Sequence, residues 1–148
     1  MLLLAQQLGA QPIDPKKITD AIDAQGAMAV VQELNAGTGQ QWRQVIQKIK
    51  TGAAEWLVVA DRLLTGTDAG RTTDLYFALS IALTRNAPGV LSLVGPNLPV
   101  EQVCSVPYIE PDDKTIAAHR KLVHSALQKV KSPELKSQKM ACLEAVDR

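Results

Sequence analysis

Aromatic side chains are scarce in this chain of 148 residues: two Trp, two Tyr and one Phe make up 3% of it. The apolar share of 46% must therefore come from Leu, Val, Ile and Ala. That composition suits closely packed helices; strands favour aromatic and β-branched runs. A surplus of charge is also missing. With 16 Lys and Arg against 15 Asp and Glu, the whole-chain field gives no reason to expect DNA, RNA or an anionic membrane as partner. Nor does any stretch approach the roughly 18 apolar residues of a membrane-spanning helix. Cysteine and histidine number two each. Cys104 and Cys142 have neither CxxC spacing nor a nearby His, which argues against zinc, since zinc sites cluster four ligands in pairs. His119 and His124 lie five apart, about 140° around a helix, so they point to different faces; metal-binding pairs use spacings of three or four. His119 reads as a satisfied core or boundary residue and His124 as solvent-exposed.

Catalytic motifs are lacking too. Gly66-Thr-Asp-Ala-Gly70-Arg71-Thr72 resembles a phosphate loop. It is one residue short, carries Arg for Lys, and follows a helix where that motif follows a strand. No serine lies in a nucleophile elbow, and neither cysteine has a basic neighbour in sequence to lower its pKa. Glu110 pairs with Asp112 or Asp113, but acidic residues at a helix start are accounted for by the helix dipole. No catalytic, cofactor-binding or metal-ligating residue is expected, and the chain reads as a protein that is not an enzyme.

What is present is helical periodicity almost throughout. Asp14 can cap and Pro15 start a first run, with Ile18, Ile22, Val30, Val31 and Leu34 on its apolar face and a split at Gln25-Gly26. Asn35-Ala-Gly37 ends it, with Gly37 as a left-handed cap. Helices follow over Gly39 to Lys50 and Ala53 to Leu64, joined by a tight turn as an antiparallel hairpin and closed by a capping Gly66. A polar stretch, TDAGRTTD, then leads into Asp74 to Arg85, read as the most buried helix. Asn86-Ala-Pro88 opens a short helix through Val94, and Pro99 to Cys104 forms a turn or two. The longest helix spans Pro111 to Lys131, and Ser132-Pro133-Glu134 restarts a last one. The prediction is an all-α, compact array of about eight helices in antiparallel hairpins. Residues 14–148 form its single domain; residues 1–13 are a signal-peptide remnant or a disordered N-terminus. MLLLAQQLGA has the short apolar run and small residues of a signal peptide's end, without its basic start.

One stretch breaks the pattern: Val103 to Asp113, VCSVPYIEPDD. Pro111, Asp112 and Asp113 launch the following helix, and Pro107 and Pro111 stiffen the segment. Tyr108, Ile109 and Glu110 are left over. Either the three bind a partner, as a pre-organised loop would, or Tyr108 and Ile109 plug a gap between helices. Cys104 and Cys142 are a disulfide if the chain is exported, and two buried thiols otherwise. Charge divides here as well, 8 basic and 10 acidic residues up to Glu110 against 8 and 5 beyond it, which is most simply a solvated face on a lysine-dotted tail.

The order TDAG, LYFALSIALTRNAPGVLSLV, VCSVPYIEP and a terminal helix with a second Cys resembles a group of small exported proteobacterial proteins of unassigned function, over roughly Trp42 to Leu143. That resemblance implies export and a disulfide and adds no active site. The helical, disulfide-pinned design is also similar, more distantly, to type VI secretion amidase immunity proteins, which block a toxin by inserting a loop or helix into its cleft. The functional expectation is a periplasmic, non-catalytic binding protein, of immunity or inhibitor type against a secreted cell-wall toxin. The alternative is a structural or assembly module of the bacterial envelope or a secretion system, with a homo-oligomer allowed. The expected partner is another protein, a toxin or an envelope component; no cofactor, nucleic acid or membrane span is expected.

Overall fold

The computed structural model describes residues 12–148; the signal-peptide reading of the first ten residues lies outside them. Among the described residues the chain folds as nine α-helices in one domain, with no strand and one isolated bridge between Gly95 and Leu98. The expected all-α array is what forms.

Helix α1 (Pro15–Gln25) starts as its sequence directs: Asp14 accepts a hydrogen bond from the Lys16 amide at 2.9 Å and Pro15 opens the first turn. Gly26, at φ +88°, breaks the run and begins α2 (Ala27–Leu34). Gly37 is left-handed, as expected, at φ +63°. Helices α3 (Gln40–Ile49) and α4 (Ala54–Leu64) follow, and α4 buries Trp56, Leu57, Val59, Ala60, Leu63 and Leu64. It is the hub of this half, packed against α1, α2, α3 and two helices that come later.

Gly66 departs from its expected role. Its φ is not positive, so it is not a left-handed cap. A Cβ there would sit 2.4 Å from the Ala27 carbonyl carbon and the Met28 amide nitrogen, so glycine is present because the start of α2 crosses directly against it.

Helix α5 (Ala69–Leu83) begins five residues before the expected Asp74. Asp68 stands at the capping position without making the capping bond. The polar turn is held helical from outside. The Trp42 indole donates to Asp74 at 2.8 Å, and Arg71 bonds the same carboxylate at 3.1 Å while lying 5.9 Å over the Trp42 ring. Leu75, Ala78, Leu79, Ala82 and Leu83 are fully buried, but the helix expected to be the most buried yields to α4, which buries a larger share of its length. Helix α6 (Ala87–Leu91) is shorter than expected and is capped by Asn86. That side chain accepts from the Gly89 amide at 3.0 Å and donates to the Gly52 carbonyl at 2.7 Å.

The C-terminal part comprises α7 (Val100–Val103), α8 (Asp113–Gln128), a 3₁₀ turn (Pro133–Leu135) and α9 (Lys136–Val146). Helix α8 starts two residues after the expected Pro111, because the Asp112 carboxylate accepts the Thr115 amide at 2.7 Å and so takes the capping position. Helices α8 and α9 are antiparallel, since His124 meets Asp147 at 2.7 Å, Arg120 meets the Arg148 carbonyl at 2.8 Å, and Lys139 meets the Val130 carbonyl at 3.1 Å. Helix α7 bridges the two parts, packing on α5 and on α9; the buried Ser80 hydroxyl reaches the Gln102 carbonyl across it at 3.3 Å. A single apolar cluster runs from Ile18 to Val146. None of the described helices is long and apolar enough to cross a membrane.

Candidate functional site

The stretch that broke the helical pattern is a loop from Cys104 to Asp112, between α7 and α8. Its first end is fixed covalently. Cys104 and Cys142 form a disulfide with Cα atoms 5.4 Å apart, and both are fully buried. The bond closes a loop of 38 residues, a constraint on the unfolded chain that stabilises the fold by about 4 kcal/mol. Val103 and Pro107 are buried beside it. The second end is fixed by the Asp112 cap, where the hydrogen bonds accepted from Thr115 hold the carboxyl below the usual carboxylate range.

Between these anchors the chain turns outward. Tyr108 is 45% exposed and Ile109 84%, the latter the most exposed of the large apolar side chains described. Glu110 has φ +47°, the one left-handed residue in the described chain that is not glycine. Such a conformation costs an L-residue about 1–2 kcal/mol, and persists only where surrounding structure imposes it. The three residues expected to bind are thus contiguous and presented to solvent; the gap-plugging alternative fails for Ile109. Tyr108 has an inner contact. Its ring meets that of His119 edge to face, with centroids 6.2 Å apart and planes at 85°.

His119 corrects an expectation. It is buried, at 4% exposure, but its Nε2 has no hydrogen-bond partner in the protein. Burial pushes its imidazole below the ordinary value. Its position on the apolar face of α8 was readable from sequence; its lack of a partner was not, because that depends on which groups the loop and neighbouring helices bring near. His124 is half-buried and bonded to Asp147 rather than free in solvent. Pro107 also does more than stiffen the loop, since it is an anchor in the core.

A second concave region lies between α2, α3 and the start of α5. Two adjoining clefts of about 410 and 340 Å³ share Asn35 and Arg71. Several of their polar groups are committed to one another, Arg71 to Asp74, Arg43 to the Thr38 carbonyl and Thr67 to Thr72, while the Asn35 Oδ1 is buried without a partner in the protein. The stretch that resembled a phosphate loop lines the first cleft through Gly66, Thr67, Asp68 and Arg71, between two helices and without the strand that motif follows. Among the described residues, no three His, Cys, Asp or Glu side chains are grouped so as to hold a metal ion.

The fold and loop define an all-helical, disulfide-clasped domain that presents a short constrained tip. The chain matches no protein-family model, no curated protein and no solved structure.

Proposed function

We propose that the chain is an exported, non-catalytic binding protein of the bacterial periplasm, an immunity-type inhibitor that engages a secreted cell-wall toxin through Tyr108, Ile109 and Glu110. One observation carries this reading: the most exposed apolar side chain, Ile109, stands beside a left-handed Glu110 on a loop held at both ends. Strain held in place by a covalent anchor marks a conformation kept for use. Burying an isoleucine against a partner contributes about 2 kcal/mol, and a loop with little freedom to lose passes most of that into affinity. Glu110, Asp112 and Asp113 surround the tip with exposed carboxylates, which favours a cleft with a basic rim. A fully buried disulfide supports an oxidising compartment.

The test is calorimetric titration of the purified protein into a secreted peptidoglycan amidase of the same bacterium, with Ile109→Asp as the comparison. Ile109→Asp should weaken binding by about thirtyfold or more while helical circular dichroism is unchanged. Undiminished binding by that variant overturns the assignment of the tip. A stable homo-oligomer that binds no hydrolase points instead to the assembly module.

A further inference from the structure

The loop that presents the tip also covers a titratable group. His119 lies beneath Tyr108, nearly sealed from solvent, with Nε2 lacking any partner. A neutral imidazole tolerates this place at modest cost. An imidazolium does not, since both ring nitrogens then become donors and a buried charge requires partners.

We propose that Tyr108 and His119 form an acid-released latch: the loop closes over the neutral ring, and protonation of His119 in mildly acidic surroundings lifts Tyr108 away. As regulation of partner binding this rests on the reading of the tip given above; as a motion of the free protein it does not.

The surroundings leave the loop as the place of relief. On α8 itself, Arg120 is turned to the Arg148 carbonyl and His124 to Asp147. On α9, Lys139 bonds the Val130 carbonyl, Glu144 pairs with Arg148, and Lys136 is exposed. On α7 the charged residue is Glu101, which is exposed. In the loop, Glu110 and Asp112 are exposed, with Asp112 bonded to Thr115, and Asp113 at the start of α8 is exposed as well. Tyr108 is the titratable side chain in contact with the ring. Burial is the whole cause of the lowered proton affinity; no carboxylate offsets it. The Tyr108 ring can attract a cation but cannot accept a full hydrogen bond from Nε2. Helix α8 is tied to α9 at three points and the foot of the loop is held by the disulfide and the buried Pro107, so opening is confined to about residues 108–111.

The direction follows from linkage. The open state keeps the ordinary value of about 6.5, and the closed state has a lower one. The closed state is therefore fully favoured above that value. It loses ground as pH falls below it, by about tenfold in population per pH unit, until the closed-state value is reached.

The experiment is NMR of the unbound protein between about pH 7.5 and pH 5.5, with the ring-to-ring contact of Tyr108 and His119 followed as the measure of closure alongside titration of the His119 ring. The expected result is a rise in opening of up to about fivefold between pH 6.5 and pH 5.5, with the His119 titration returned to its ordinary value in Tyr108→Ala. His119→Phe should abolish the pH dependence; if that variant misfolds, the wild-type and Tyr108→Ala titrations still decide. Opening that ignores pH, or pH dependence that survives in His119→Phe, overturns the latch. A failed latch with Ile109-dependent binding intact leaves the proposed function standing, and a working latch with no partner binding leaves only the latch.

Discussion

The two parts of this molecule are stabilised by different means. From α1 to α6 each helix packs on at least two others, and α4 alone packs on five. Leu63, Leu75, Leu79, Leu83, Val90 and Leu91 are fully buried there. Beyond α6 the arrangement thins. Helix α8 packs chiefly on α9, and α9 reaches the remainder through α7. A two-helix hairpin cannot bury enough apolar surface to hold itself firmly, and this is the part that carries the disulfide. The mutually supported block needs no staple, whereas the hairpin takes one and in return displays an exposed loop.

That contrast can be broken in order of effect. Replacing Cys104 and Cys142 together by Ala should cost about 4 kcal/mol in denaturant unfolding, with amide exchange in α8 and α9 rising more than in α4 and α5. Equal acceleration everywhere would mean that the parts unfold as one. Leu79→Ala in the block should cost about 3 kcal/mol, and Leu127→Ala in the hairpin less, because a helix with one main neighbour can shift to close the cavity; the reverse order, measured from the two unfolding midpoints, would sink the comparison. Gly66→Ala forces α2 away from α4 and should lower stability by about 2 kcal/mol without altering the loop. Glu110→Gly has the smallest expected effect and the opposite sign. It relieves the left-handed backbone, raising stability by up to about 1 kcal/mol while loosening the tip. An unchanged or lower melting temperature in Glu110→Gly would show that the conformation is not strained.

The block was legible because its helices bury stripes at helical spacing: Trp42, Val45 and Ile49, or Trp56, Leu57, Ala60, Leu63 and Leu64, announce a face without any tertiary knowledge. Local reading failed where a distant group decided the outcome. The turn from Ala69 to Asp74 carries the poor helix formers Gly70, Thr72, Thr73 and Asp74 and becomes helical because Trp42, 32 residues earlier, bonds Asp74. Gly66 matches a capping glycine and a close-approach glycine equally well; only the position of Ala27 separates them. In the loop, the break in periodicity was visible and the strain at Glu110 was not, since glutamate carries no preference for left-handed backbone. The Cys104 and Cys142 pairing stayed open in the sequence because two cysteines state a possibility, and the compartment decides it.

The disulfide also alters what kind of object the chain is. By joining Cys104 to Cys142 it makes residues 104–142 a closed ring, with α1 to α7 as one tail and the last few residues as another. Ile109, exposed on the loop, lies inside that ring. A single cut there yields two polypeptides that stay one molecule as long as the bond is oxidised, with both anchors of the severed loop still seated. The exposed tip is therefore a link that can be opened, or given new chain ends, without parting what it connects.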